Sequence, residues 1–204
     1  MKQYAAVTIR AMLVNKSFLI GLVAAIFIAS TGCSPNFNWR EVQGTEPSYT
    51  VLLPAKPSSH SRVVDLDGLK VTMTMTAAET DDINFAVACI KVDDESQRHA
   101  ALLTMQKAML QNIHGEIVQQ KVIALKDGKK MTEIHATGKT STGRHLSLFA
   151  RFGEHGQDVF QVVALGPSDK LTSEIADTFL SSFIPHDCRT LVIIWKVKRA
   201  YVSF

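Results

Sequence analysis

The sequence predicts an α+β domain, a largely antiparallel sheet with helices packed against it. Three observations lead there. Runs of β-branched and apolar residues are separated by Asp-Gly and other turn pairs. Two stretches with helical apolar spacing stand well apart along the chain. The composition of the 204 residues, 46% hydrophobic and 20% charged, is that of a globular chain and excludes disorder, collagen and a disulfide-dense scaffold.

The strand signals begin at Tyr49. Residues 49–53 are β-branched and apolar and stop at Pro54, and residues 57–60 read as a turn. Residues 61–66 and 69–76 flank Asp67-Gly68, a type I′ hairpin signal, because that turn needs φ > 0 at both central positions. Val71, Met73 and Met75 alternate with Thr72, Thr74 and Thr76, so one face of that strand is apolar. Asp81-Asp82 marks the next turn. Residues 84–92 are apolar on both faces, as in a central strand.

Acids at 93–95 suit the positive end of a helix, and Leu102, Met105, Met109, Leu110 and Ile113 recur at three- and four-residue steps until Gly115. The Met-rich face of this helix reads as core. Four more β segments follow, at 117–125, 130–137, 144–152 and 158–165, parted by Asp127-Gly128, by residues 138–143 and by residues 153–156. A last helix is expected over 169–183, with Ser168 as its N-cap and Leu171, Ile175 and Phe179 on its inner face.

The amino terminus carries a different signal. Lys16 precedes 13 uncharged residues, 17–29. As a helix these span about 20 Å, short of the ~30 Å hydrocarbon core. A basic segment, a short apolar core and small residues at its end describe an export signal. It closes on Ser30-Thr31-Gly32-Cys33, which resembles a bacterial lipobox, with Ser30 in place of the usual Leu. The expected organisation is a signal peptide over 1–32, acylation of Cys33, a tether over 33–48 with Phe37 and Trp39 as docking points, a domain over 49–185, and an extension over 186–204. Met12 is an alternative start that leaves a conventional short basic segment. Ser34, by the same resemblance, implies the outer membrane of a bacterial envelope, with the domain facing the periplasm.

Charge narrows the function classes. The chain holds 22 Lys and Arg against 19 Asp and Glu. Lys2, Arg10 and Lys16 belong to the leader, so the remainder is neutral, and residues 33–185 carry 15 bases against 18 acids. An acidic body is a poor binder of polyanions, which excludes nucleic acid as a partner. The extension is basic and contains a strong β run at 190–195 (TLVIIW), too short to span a bilayer as a helix. It could add an edge strand, dock a partner or touch lipid.

Several motifs appear in a known order. Residues 49–57 (YTVLLPAKP) are similar to the F-x-V-x-x-P-x-K-P opening of PsbP-like domains. The Asp67-Gly68 hairpin, the strand with residues 85–88 (FAVA), the Asp127-Gly128 turn and the closing residues 179–183 (FLSSF) follow in the same order. Residues 46–185 therefore resemble the PsbP-like α/β/α sandwich superfamily, in its uncharacterised bacterial lipoprotein branch. The resemblance implies that fold and a role in binding other proteins. It brings no shared catalytic set and no cofactor.

Catalytic motifs are weak. Gly138-Lys139-Thr140 ends like a P-loop, but Glu133 stands where the first glycine is required. No G-x-S-x-G is present. The expectation is a non-enzymatic lipoprotein that binds a protein or envelope component, held to the membrane by its lipid. The alternative is a periplasmic carrier of a small ligand or metal. Its site would come from a hairpin centred at residue 140, placing His135 opposite His145 and on one face with Glu133 and Arg151. Cys89 reads as a buried thiol, and a Cys89–Cys188 bond is an alternative in an oxidising compartment.

Overall fold

A computed structural model describes residues 37–45, 48–125 and 128–186. The leader, Cys33, Asp127, Cys188 and residues 187–204 lie outside the described residues. The strands are β1 (Arg40–Thr45), β2 (Ser48–Leu53), β3 (Ser58–Leu66), β4 (Leu69–Thr80), β5 (Ile83–Lys91), β6 (Glu116–Ala124), β7 (Lys130–Lys139), β8 (His145–His155), β9 (Asp158–Pro167) and β10 (Ile184–Pro185). The helices are α1 (Glu95–Asn112) and α2 (Ser173–Ser182).

Seven strands form one antiparallel sheet in the order β3-β4-β5-β9-β8-β7-β6, and β1-β2-β10 form a small second sheet. This is the expected α+β class, with sheet dominating. The β3–β4 turn matches its signal: Asp67 has φ 59° and Gly68 φ 91°, and the Gly68 N–H donates to Asp65 Oδ1 at 2.6 Å. The β4–β5 turn uses Asp81 and Asp82, also at positive φ.

Strand alternation divides the large sheet into two faces. Phe85, Val87 and Cys89 of β5, with Phe160 and Val162 of β9, pack under α2 and β2. Ile90 of β5, with Leu148, Ala150 and Phe152 of β8, packs under α1. Each fully buried Val, Leu, Ile or Phe among these contributes about 1.5–3 kcal/mol by leaving water. α1 opens on Asp94, whose carboxylate accepts from the Gln97 N–H at 3.0 Å, and it buries Ala101, Leu102 and Met105. The expected core role of Met105 holds. At the other end His114, at φ 46°, turns the chain, and the Gly115 N–H donates to Leu110 O. Gly138 lets β7 approach this end closely. A Cβ there would lie 2.3 Å from Ile113 O, and the Lys139 N–H donates to the same carbonyl at 2.9 Å.

Four expectations are corrected. Arg40–Thr45 is a strand, not a tether, because its backbone pairs along β2 from Arg40↔Leu53 to Thr45↔Ser48. Phe37 and Trp39, the docking points expected within the tether, do dock: they stack at 5.7 Å and pack edge-on against Phe85, partly buried at the margin of the core. Residues 58–60, read as a turn, begin β3. The last helix starts four residues late, capped by Thr172 rather than Ser168. Pro167 O accepts from Lys170 and Leu171 N–H in a preceding turn, which sends Leu171 into the core. Gly153 stays inside β8, beneath Met131, where a Cβ would meet Met131 Cγ at 2.5 Å; the turn comes at Gly156, φ 64°.

Candidate functional site

α2 is only ten residues long and packs on β2, β9 and β8, to one side of one face of the large sheet. Odd-numbered residues of β7 and β8 point to that face, as Met131 and Phe149 show by packing with the α2-side core. The register sets Glu133 opposite Arg151 and Lys121 opposite Glu133. Arg151 Nε donates to Glu133 Oε2 at 2.7 Å, and Lys121 Nζ lies 2.8 Å from Oε1. Arg151 Nη1 also donates to Leu180 O at 2.5 Å. A cation thus satisfies a carbonyl in the last turn of α2, where the helix dipole is negative.

The Glu133 and Arg151 side chains are 11% and 13% exposed, so their pairing is largely sheltered from solvent. Burial pushes the Glu133 pKa up. The hydrogen bonds from Lys121 and Arg151 outweigh that, and the carboxyl stays below its ordinary range.

His135 stands two residues from Glu133 and stacks on Phe149 with ring centroids 4.2 Å apart and planes 2° from parallel. Partial burial lowers its pKa. The expected pairing of His135 with His145 is not made. The β7–β8 hairpin is centred at residue 142, with His135↔Phe149 and Lys139↔His145. The Thr140 N–H donates to Arg144 O, and Gly143 at φ 85° completes the turn. His145 therefore lies four residues from Phe149 along β8, about 13 Å away, on the same face but out of reach of His135. Among the described residues, no three His, Cys, Asp or Glu side chains come together as a metal site.

Beside Arg151 lies a cleft of 280 Å³ between the end of β6 and the chain leaving α2, lined by Ile123, Leu125, Phe183 and Ile184. The sequence reading missed it. Phe183 reads as the end of the last helix, and only tertiary packing puts it and Ile184 against residues 123–125. Lys121 was missed as well: a two-residue turn at Asp127-Gly128 sets 121 opposite 134, one residue from the observed Lys121↔Glu133 pairing and therefore on the other face.

Cys89 is a free, buried thiol on β5. Its Sγ–H donates to Thr74 O at 3.3 Å, and burial, with Asp158 nearby, pushes its pKa up to about 12. A thiol held so protonated is a poor nucleophile.

No protein-family model matches the chain, and no curated protein matches it in sequence. Among solved structures, the fold is similar to the solution structure of cyanobacterial PsbP (CyanoP) from Synechocystis sp. PCC 6803. The two chains are 15% identical, the match covers 76% of this chain and 96% of the other, and the TM-score is 0.49.

Proposed function

We propose that the protein is a lipid-anchored envelope protein that acts by binding and not by catalysis. Cys33 becomes the acylated first residue, and a PsbP-like domain faces the periplasm from the outer membrane and engages a protein or another envelope component. The observation that carries this reading is the apolar run 17–29, too short to span, ending at Thr31-Gly32-Cys33. Acyl chains contribute about 0.8 kcal/mol per buried CH₂, enough for stable anchoring when there is more than one.

The fold adds a consequence. Phe37 and Trp39 pack against the core at its margin, so the anchored domain has a short leash. Four residue steps from Cys33 to Phe37 reach about 14 Å at full extension. The domain is held against the lipid surface and meets partners that also lie there. Cross-linking in intact cells tests this. The wild type is expected to capture a reproducible envelope partner, and Cys33→Ser to lose it. Capture of no reproducible partner by the wild type contradicts the reading.

A further inference from the structure

The bases of the domain are unevenly placed. Residues 33–185 carry 15 bases against 18 acids. Residues 119–133, from β6 into β7, hold Lys121, Lys126, Lys129 and Lys130 against Asp127 and Glu133, and Arg151 of β8 joins them beside Glu133. The acid excess of the body therefore lies elsewhere. These bases surround the cleft. Arg151 lines it, Lys121 stands two residues before Ile123 on the same face, Lys130 pairs with Ala124, and Lys129 O accepts from the Leu125 N–H at 2.7 Å.

Beside the cleft runs the edge of the large sheet. Among the described residues β6 pairs with β7 alone, and its side chains are exposed almost throughout, Val118 and Val122 by 61% and 65%. A bulge at Val118 leaves residues 119–124 as the regular part of the edge. Such an edge presents backbone N–H and C=O groups that an added strand takes up. The side chains of an added strand alternate, one set lying by Lys121 and the cleft and the other by Val122. At 280 Å³ the cleft falls below the ~300–1,000 Å³ of small-molecule sites and suits one or two large apolar side chains. An ammonium has three donors, and the Lys121 side chain is 54% exposed while it holds Glu133, so a second carboxylate has access to it. A second copy of this chain is a poor occupant, because it would set one basic edge against another.

We propose that the outer edge of β6 takes an extended acidic segment of a partner protein as an added strand. One apolar side chain of that segment fills the cleft lined by Ile123, Leu125, Phe183 and Ile184, and a carboxylate two residues along lies beside Lys121. This rests on the reading of the domain as a binding protein and gives its partner a chemistry, but it does not depend on the acylation of Cys33.

A labelled peptide alternating Val and Glu around a central Leu tests it on the full chain in detergent, with Lys in place of Glu as the comparison peptide. The acidic peptide is expected to bind about tenfold or more tightly than the basic one, and to weaken with salt. Lys121→Gln and Ser181→Phe should each weaken it about tenfold, the second by filling the cleft from an exposed position on α2. If Lys121→Gln lowers the Tm, Ser181→Phe decides. Binding should slow hydrogen exchange over 119–124 and leave β3 unchanged. Equal binding of the two peptides, no binding of either, or binding without protection of 119–124 overturns the inference. Protection of 119–124 by phosphatidylglycerol vesicles but not by the peptide also overturns it, assigning the edge to lipid. If the peptide fails while intact cells still yield an envelope partner, this inference falls and the binding role stands.

Discussion

The two faces of the large sheet are built differently. The face under α1 is almost wholly aliphatic, with Phe152 the aromatic in its buried cluster, and an 18-residue helix lies along it. The face under α2 is aromatic, with Tyr49, Phe85, Phe160, Phe179 and Phe183 buried and Phe37, Trp39 and Phe149 packed at the margin. It is shared between a ten-residue helix and the small sheet. Where that cover ends, the apolar core gives way to the Glu133–Arg151–Lys121 cluster and the His135–Phe149 stack. A long helix can close a face with aliphatic side chains alone. A short one needs large rings to fill the layer and a hydrogen-bonded cation to finish its last turn.

The largest effect should come from the aromatic face. Phe85 touches Phe37, Trp39 and Phe179 and is fully buried, so Phe85→Ala is expected to cost about 3–5 kcal/mol in urea unfolding. Arg151→Met should cost about 1–3 kcal/mol, because it leaves Glu133 with Lys121 alone and the Leu180 carbonyl without its cation. A value near zero would reduce the cluster to surface decoration. On the α1 face, Gly138→Ala must displace Ile113 O and is expected to cost a similar ~1–3 kcal/mol, read as a lower Tm.

Acid should act on the α2 face. The Glu133 pKa is lowered on folding, so its contribution is present above the unfolded carboxylate pKa and is lost as pH falls through the folded one. His135 is also lowered on folding. Below the ordinary imidazole range the unfolded chain takes up a proton that the folded chain resists, so stability falls with pH there too. His135→Gln should flatten the upper part of that slope and Arg151→Met the lower part. The smallest effect is chemical: Cys89 should resist alkylation at pH 8 in the native state and react only with unfolding, as thiol titration with and without urea would show.

Much of the sheet was legible because its signals are local. Asp67-Gly68 dictates a hairpin through backbone sterics, and the alternation with Thr places Val71 and Met73 on one face, but it fails at the end of the run, where Met75 is exposed and Thr76 buried. What escaped depends on partners far away. Arg40–Thr45 (REVQGT) has no strand alternation and becomes a strand because β2 offers a backbone ladder. Ser168 and Thr172 are equally good caps in sequence, and the burial of Leu171 decides between them.

The β7–β8 register failed by an even step, from a centre at 140 to one at 142, because Gly138 and Lys139 remain in the strand. An even slip keeps every side chain on its face. Glu133, His135, His145 and Arg151 were therefore placed on the right surface with the wrong neighbours.

The account rests most heavily on the acylation of Cys33, and metabolic labelling with a clickable fatty-acid analogue addresses it directly. The wild-type chain is expected to take up the label and to partition with membranes, while Cys33→Ser takes up none and stays unprocessed. Equal labelling of the two chains, or labelling of neither, would contradict a lipid-held protein.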